Sequence, residues 1–332
     1  MMDKKKLGIS VLIVAAFSCL PLILDPENSY AVYFFFSAFT YLALAQSWNL
    51  VAGYTGQISL GHHAFFGFGA YAAGIGWVQG ITSYLDPLGM LLSGLAPAFL
   101  AIAIGIPLLS KLRGDYFALG TLGLGEIMRL IFVQGGAFTG GSAGLMLPSS
   151  AYNSMTPYYF VALFLAVLAT AITYFMIKSG TGLALIAVRD DEIAAAANGI
   201  DILKYKVLAF AIGAFIAGLC GSLQAYYLFH IHPQNFYGLN WTLYPILMCV
   251  VGGAGTIIGP VIGAILLTAL FELTAVWLPQ VHPLLSGAFI IVVILFLPEG
   301  LVRLKVKEIF SPKEGRRKRL KSKSQRKKGG DN

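Results

Sequence analysis

The chain has 332 residues, of which 57% are hydrophobic and only 11% are charged, and its mean hydropathy is +0.76. Soluble domains carry about 25% charged residues, so this composition excludes an ordinary soluble protein and predicts an integral membrane protein. The net charge of +8 belongs to the C-terminal end, because 13 of the 23 basic and three of the 15 acidic residues follow residue 302.

The N-terminal segment carries three lysines at residues 4–6, which precede an apolar run over 7–24. This arrangement resembles a signal peptide, but no small-residue cleavage site follows it and further apolar segments do. We therefore predict that the run is an uncleaved first membrane helix.

Nine further apolar segments follow, and most approach the ~20 residues that are needed to cross ~30 Å of hydrocarbon. In chain order they are 30–50, 62–79, 87–109, 116–134, 158–177, 207–230, 241–251, 257–278 and 284–297. The sequence therefore predicts an all-α polytopic membrane protein. Residues 1–302 would form its transmembrane domain and residues 303–332 a basic tail.

Basic residues outside the apolar segments predict the orientation. They form four clusters, at 4–6, 111–113, 178–206 and 303–328, which the positive-inside rule places in the cytoplasm. The number of spans between successive clusters must then be even, and the apolar segments give four, two and four. We predict ten spans with both termini cytoplasmic, or eight if two interrupted segments are re-entrant.

The stretch 53–73 combines repeated glycines with polar residues inside an apolar region. Each interior glycine costs a helix about 1 kcal/mol relative to alanine, and non-helical backbone at membrane depth must face protein or a water-filled cavity. We interpret the stretch as a break that lines a transport route. The alternative is a small-residue packing seam. The polar residues among the glycines are Thr55, Gln57, Ser59, His62 and His63.

A second glycine-rich interruption occupies 252–263, in the other half of the chain. Interrupted segments at corresponding places in two halves are typical of inverted repeats with a solute route near the midplane. We therefore predict an inverted repeat with broken helices.

Glu126 and Arg129 lie three residues apart in an otherwise apolar segment. This spacing places both on one face of a helix, where they can pair. A charge at a helix centre costs ~2.5–3.5 kcal/mol in a bilayer, so we expect the pair to face the interior of the bundle. It would serve either the translocation route or a purely structural ion pair.

The polar block 178–206 contains the one segment with the pattern of a soluble helix, at 189–199. Acidic residues open it, alanines continue it, and a glycine follows where a C-terminal cap is expected. We predict a short cytoplasmic helix whose alanine side, at residues 194, 195 and 197, receives a partner. Its charges would be exposed, so that single substitutions there cost little. The alternative is a solvated connector. The residues assigned to partner contact are Arg189, Asp190, Glu192, Ala195 and Gly199.

The sequence predicts neither an enzyme nor a cofactor site. It contains no phosphate-binding loop, nucleophile elbow or zinc-protease motif, and its cysteines and histidines lack metal-site spacing. The basic tail could be taken for a nucleic-acid arm, but beside a last membrane helix it needs only anionic lipid as a partner.

Four segments together resemble a known family, the integral permease subunits of bacterial ATP-binding-cassette importers for branched-chain amino acids. They match the longer of that system's two permease types best, from about residue 30 to 302. The segments are NLVAGYTGQISLGHHAFFGFGAYAA at 49–73, YFALGTLGLGEIMRL at 116–130, TGLALIAVRDDEIAAAANGID at 181–201 and GGAGTIIGPVIGA at 252–264.

The resemblance implies a bacterial inner-membrane importer with a second, homologous permease, two cytoplasmic ATPase subunits that use the ATP, and a periplasmic or lipid-anchored substrate-binding protein. It also implies that 189–201 docks on the ATPase and that the first motif, including Gln57, Ser59, Gly61 and His62, lies near the route. In many relatives the residue at the position of His63 is small, and the basic tail here is longer than the family pattern.

Two alternatives stay open. A permease of the same family could carry urea, short amides or other amino acids, because importers of this kind usually set specificity in the binding protein. An ion-coupled secondary transporter would need intramembrane carboxylates, for which Glu126 and Glu272 are the candidates.

Overall fold

The computed structural model describes residues 4–25, 27, 29–277, 287–288, 291 and 300–302, and most of this part of the chain is helical. The prediction of an all-α membrane protein is confirmed. The helices are α1 (Lys4–Ile23), α2 (Tyr30–Trp48), α3 (His62–Val78), α4 (Pro87–Lys111), α5 (Asp115–Gln134), α6 (Thr156–Lys178), α7 (Gly180–Asp190), α8 (Glu192–Ala197), α9 (Ile202–Leu228), α10 (Pro233–Phe236), α11 (Asn240–Gly252) and α12 (Ile258–Trp277).

Nine of the ten predicted apolar segments correspond to helices, namely α1 to α6, α9, α11 and α12. Five described helices, α4, α5, α6, α9 and α12, are long and apolar enough to cross a membrane. The remaining predicted segment, 284–297, and the basic tail 303–332 fall mostly or wholly outside the described residues.

Helix α9 lies at the centre of the molecule, where it packs against α2, α3, α4 and α6 and buries most of its residues. We expected it to begin at residue 207, after a polar loop, but it begins at Ile202. The Asp201 carboxylate accepts the Lys204 N–H at 3.1 Å and caps the new helix end. The block 178–206 is consequently helical over most of its length.

The connection between α5 and α6 is tied to the end of α9. Two short antiparallel strands, β1 (Leu145–Met146) and β2 (His230–Ile231), pair there. Nearby, the Glu27 carboxylate accepts the Tyr152 hydroxyl at 2.9 Å and the Met155 N–H at 2.8 Å. These contacts close one end of the helix bundle.

The predicted interruption in 53–73 is confirmed at its N-terminal half. A π-helical turn, Asn49–Gly53, follows α2, and residues 56–61 are non-helical before α3 begins. We call residues 49–61 the first break. The chain reverses direction at this break. Helix α2 is antiparallel to α9, because Tyr33 near the start of α2 contacts Tyr227 near the end of α9. Helix α3 is parallel to α9, because the Tyr71 hydroxyl in the second half of α3 donates to the Ile231 carbonyl, just after the end of α9, at 3.0 Å.

The packing-seam alternative describes the C-terminal half of the same stretch. A Cβ atom added at Gly69 would overlap the backbone of Gly218 in α9, and one added at Gly221 would overlap the backbone of Phe66. Glycine is needed at these positions because α3 and α9 approach with their backbones in contact. The stretch therefore contains a break followed by a seam.

The second predicted interruption is also a real break. Helix α11 ends at Gly252, Gly253 has a φ of +118°, and α12 begins at Ile258. A positive φ of this size favours glycine, which has no Cβ to clash. We call residues 253–257 the second break. The inverted-repeat relation between the two halves stays a prediction.

Candidate functional site

The two breaks meet, and the side chain of Asn49 joins them. Its amide nitrogen donates to the Thr256 carbonyl at 2.9 Å, and its amide oxygen accepts the Gly255 N–H at 2.8 Å. A Cβ atom added at Gly53 would lie 2.6 Å from the Gly255 nitrogen. Asn49 is fully buried. Its side chain therefore satisfies the Gly255 N–H and the Thr256 carbonyl in place of water, and it fixes the position of the second break relative to the first.

Arg189, at the end of α7, holds the first break from the other side. Its guanidinium donates to the Gly53 carbonyl at 3.1 Å and also pairs with Asp190 at 3.0 Å. The aliphatic part of the same side chain lies close over Gly56, which has a φ of +73°. The end of α7 is thus attached directly to non-helical backbone.

Glu192, at the start of α8, makes a second link to the first break. Its carboxylate accepts the Lys206 ammonium at 2.5 Å and the Gln57 amide at 3.3 Å. The Lys206 side chain is 2% exposed and that of Glu192 is 26% exposed. The pair is therefore shielded from water, and its attraction is stronger than that of an ordinary surface pair.

The segment 189–199 differs from the single helix that we predicted. Asp191 has an extended conformation, and its carboxylate accepts the N–H groups of Ile193 at 2.8 Å and Ala194 at 3.0 Å. This side-chain cap starts a new helix, so Arg189 and Asp190 end α7 while α8 begins after the kink. The predicted glycine terminator is confirmed, because Gly199 follows α8 with a φ of +78°. We call residues 189–199 the α7–α8 corner.

The exposed surface of this corner also differs from the prediction. Ala195, which we expected on a partner-facing alanine surface, is buried at 4% exposure. Ile193 is 78% exposed instead, and Ala194 and Ala197 are exposed beside it. Helix α8 packs one of its sides against the rest of the protein. Ala195 lies on that side, and Ile193, two residues earlier in the helix, lies on the side that faces outward.

The remaining residues predicted in the first motif form a packed polar layer. The His62 ring lies 3.3 Å from the Ser59 hydroxyl, and the Trp48 indole N–H donates to the Ser59 carbonyl at 2.9 Å. An added Cβ at Gly61 would overlap the backbone carbonyl of Thr121 in α5. Ser59 and His62 are fully buried within the chain, so neither lines an exposed surface here.

His63 is part of the same layer, on its other side. The His63 backbone N–H and ring Nδ1 both contact the Thr242 hydroxyl, at 2.8 and 2.9 Å. The ring also fills the space left by the missing side chain of Gly125 in α5. His63 thereby connects α3 with α11 and α5.

The predicted pairing of Glu126 with Arg129 is confirmed, with a distance of 2.8 Å between the two charged groups. The prediction that both side chains face the interior of this chain's helix bundle is wrong. The two side chains are 51% and 32% exposed, respectively, on a face of α5 that also exposes Ile127, Leu130 and Ile131. The other side of α5 already packs through Thr121, Gly125 and Met128. The pair therefore lies on the outer surface of this chain.

A family model described as "Branched-chain amino acid transport system / permease component" matches residues 30–297. The chain belongs to this family. A family of transport permeases is not a class of enzymes. Comparison with solved structures found no match.

Several curated relatives of this chain are permease proteins of branched-chain amino acid transport systems. It is 28% identical over 295 residues to the high-affinity branched-chain amino acid transport system permease protein LivM of Escherichia coli K12, covering 79% of this chain and 67% of the relative. It is 26% identical over 226 residues to the probable LivM of Methanocaldococcus jannaschii, covering 61% and 64%. It is also 25% identical over 294 residues to LivH of Escherichia coli K12, covering 79% and 91%.

The two carboxylates that an ion-coupled transporter would need have partners in this permease. Glu126 is paired with Arg129, and Glu272 accepts the Tyr30 hydroxyl at 2.6 Å. The ion-coupled alternative is not favoured. Sequence reasoning missed Asn49 and Lys206. The one available signal was their position, because Asn49 is a polar residue near the end of the apolar segment 30–50 and Lys206 directly precedes the segment 207–230.

Proposed function

We propose that this permease is a transmembrane subunit of an ATP-binding-cassette importer that moves branched-chain amino acids across the bacterial inner membrane. The observation that carries the proposal is the family match over residues 30–297, together with similarity to both LivM and LivH. Separate ATPase subunits would hydrolyse the ATP, since the sequence contains no phosphate-binding loop.

We assign the docking of an ATPase subunit to the α7–α8 corner. Ile193 is a large apolar side chain that is 78% exposed and lies outside every predicted span, and Ala194 and Ala197 are exposed on the same short helix. Contiguous exposed apolar surface indicates an interaction site. Arg189 and Glu192, in the same corner, bond to the first break, and Asp190 pairs with Arg189.

The second permease would cover the outer face of α5. A charged pair that faces lipid costs several kcal/mol, whereas polar surface of a neighbouring subunit can satisfy it. The relatives include LivM and LivH, which are two different permease proteins of one kind of transport system. This chain would pair with a homologous subunit through that face.

The translocation route would then run between the two permease subunits, along the face of α5 that carries Glu126 and Arg129. The packed layer of Gln57, Ser59, Gly61 and His62 lies behind α5 and would open onto the route when the subunits move. A periplasmic or lipid-anchored binding protein would deliver the amino acid, and both termini of the chain would lie in the cytoplasm. Anionic lipid would hold the basic tail.

The test is purification of the tagged chain from its own host, identification of the copurified subunits, and reconstitution of the complex into vesicles. We expect an ATPase pair, a second permease and a binding protein, with ATP-dependent uptake of radiolabelled leucine, isoleucine or valine. Uptake of urea or acetamide in place of these amino acids would refute the substrate. Purification of the chain with no ATPase, together with uptake driven by an ion gradient, would refute the importer class.

A further inference from the structure

We infer that the ion pair between the buried Lys206 and the partly exposed Glu192 transmits movement of the α7–α8 corner to the first break. The inference rests on the proposed function, since it assumes that an ATPase subunit moves the corner. Lys206 and Gln57 would be positioning residues: they act on the route through backbone and need not touch the substrate.

Three bonds connect the corner to the membrane part of the chain. Glu192 accepts Lys206 of α9 at 2.5 Å and Gln57 of the first break at 3.3 Å, and Arg189 donates to the Gly53 carbonyl at 3.1 Å. These contacts lie on both sides of the kink at Asp191. The corner therefore holds the break at two points, residues 53 and 57.

Helix α8, within the corner, is bounded on each side by a residue with non-helical backbone. The extended residue Asp191 precedes α8, and Gly199, with a φ of +78°, follows it. Hinges are typically a few residues at the ends of elements that absorb changes in backbone dihedrals. Between these two points α8 is a short helix, so a force on Ile193 displaces Glu192 with it.

The ion pair makes that displacement reach α9 and the break. The Lys206 side chain is 2% exposed, and separating a buried ammonium from its carboxylate is strongly unfavourable. If α8 moves and the ion pair stays intact, the N-terminal end of α9, which carries Lys206, moves with it. Gln57 moves as well, because it donates to the same Glu192 carboxylate.

The first break is the part of the membrane domain that can respond. Residues 56–61 lack continuous helical hydrogen bonds; the Leu60 N–H donates instead to the Thr121 hydroxyl at 3.0 Å. Such backbone changes conformation more easily than a helix. Through Asn49, a shift of the first break also reaches the second, at Gly255 and Thr256.

The test compares the reconstituted complex with the variant Lys206→Met, which removes the ammonium and leaves the corner itself unchanged, with the Glu192 carboxylate 26% exposed to water. Lys204→Met is the matched control, because Lys204 lies on the same helix and is exposed. The measurements are the ATPase rate, amino-acid uptake per ATP hydrolysed, and hydrogen–deuterium exchange of residues 53–61 with and without ATP. We also measure Gln57→Leu, which removes the other bond to Glu192.

We expect Lys206→Met to assemble and to hydrolyse ATP within about two-fold of the unmodified complex. Uptake per ATP should fall at least five-fold, and the ATP-dependent change in exchange at 53–61 should be lost. Gln57→Leu should behave in the same way, and Lys204→Met should behave like the unmodified complex.

Two outcomes would overturn the inference. One is unchanged uptake per ATP with an intact exchange response in Lys206→Met. The other is a parallel loss of ATPase activity, uptake and assembled complex, which would make the pair only a structural anchor. If the unmodified complex transports none of leucine, isoleucine and valine, the proposed substrate fails. The exchange comparison still decides the role of the ion pair, because it needs only ATP.

Discussion

The backbone N–H of Gly255 donates to the side-chain oxygen of Asn49 at 2.8 Å, although the two residues lie 206 positions apart in the chain. This bond brings the two glycine-rich breaks together. With the Arg189–Gly53 and Glu192–Gln57 contacts, it forms a continuous connection from the α7–α8 corner through both breaks.

The first prediction concerns Asn49 itself. Asn49→Leu removes the partners of the Gly255 N–H and the Thr256 carbonyl, which would be left unsatisfied next to an apolar side chain. Each such buried group costs about 1–3 kcal/mol. We therefore expect the variant to lower the thermal midpoint of the purified protein in detergent by several degrees and to reduce the yield of complex. Thr170→Val, which removes only a bond within α6, should change neither; an Asn49→Leu midpoint equal to that control would contradict this account.

The second prediction concerns Gly61. An added Cβ overlaps the Thr121 carbonyl, whereas at Gly180 nothing lies within 4 Å. Gly61→Ala should destabilise the protein by about 1–3 kcal/mol, as overpacking does, and Gly180→Ala should leave it unchanged. The measurement is again the thermal midpoint, together with the amount of protein recovered from the membrane. Wild-type stability in Gly61→Ala would mean that α5 does not pack against the first break.

The third prediction separates docking from folding at the α7–α8 corner. Ile193→Ser alters an exposed side chain, so the protein should remain stable while the copurified ATPase falls at least ten-fold. Ala195→Trp places a large ring at a buried position. We therefore expect it to lower the thermal midpoint of the protein, so that any loss of the ATPase follows from lost stability. Quantitative mass spectrometry of the purified complexes measures the first effect and thermal unfolding the second. ATPase retained in full by Ile193→Ser would remove the corner from the proposed interface.

The fourth prediction concerns the outer face of α5. Replacing both charges, by Glu126→Leu with Arg129→Leu, removes ionic groups that cost ~2.5–3.5 kcal/mol in lipid. If the face lies against the second permease, the double variant should remain in the membrane but lose at least ten-fold in uptake. Phe164→Leu is the control, since Phe164 lies on an exposed face of α6. Normal uptake by the charge-free variant would indicate that the pair has no part in transport.

The fifth prediction concerns topology. A reporter fused after residue 328 should be active only in its cytoplasmic form, and one inserted between 140 and 155 only in its exported form. The basic clusters require an even number of spans between them. A cytoplasmic signal from 140–155 would exclude the arrangement of ten spans.

Local properties of the sequence were sufficient for much of this architecture. Apolar segments of sufficient length predicted the positions of α1 to α6, α9, α11 and α12, and clustered glycines predicted both breaks. The pairing of Glu126 with Arg129 followed from their spacing of three residues. Each of these predictions depends on neighbours within one or two helical turns, which the sequence displays directly.

Only the tertiary structure decided which distant residues meet. No local pattern indicated that Lys206 would be buried against Glu192, that Asn49 would join the breaks, or that Ala195 would face inward while Ile193 faced outward. The reason is physical: burial and pairing depend on how α8, α9 and the two breaks pack together, and the sequence of any one segment does not contain its neighbours. The helices and breaks were determined locally, and the connection between them arose from packing.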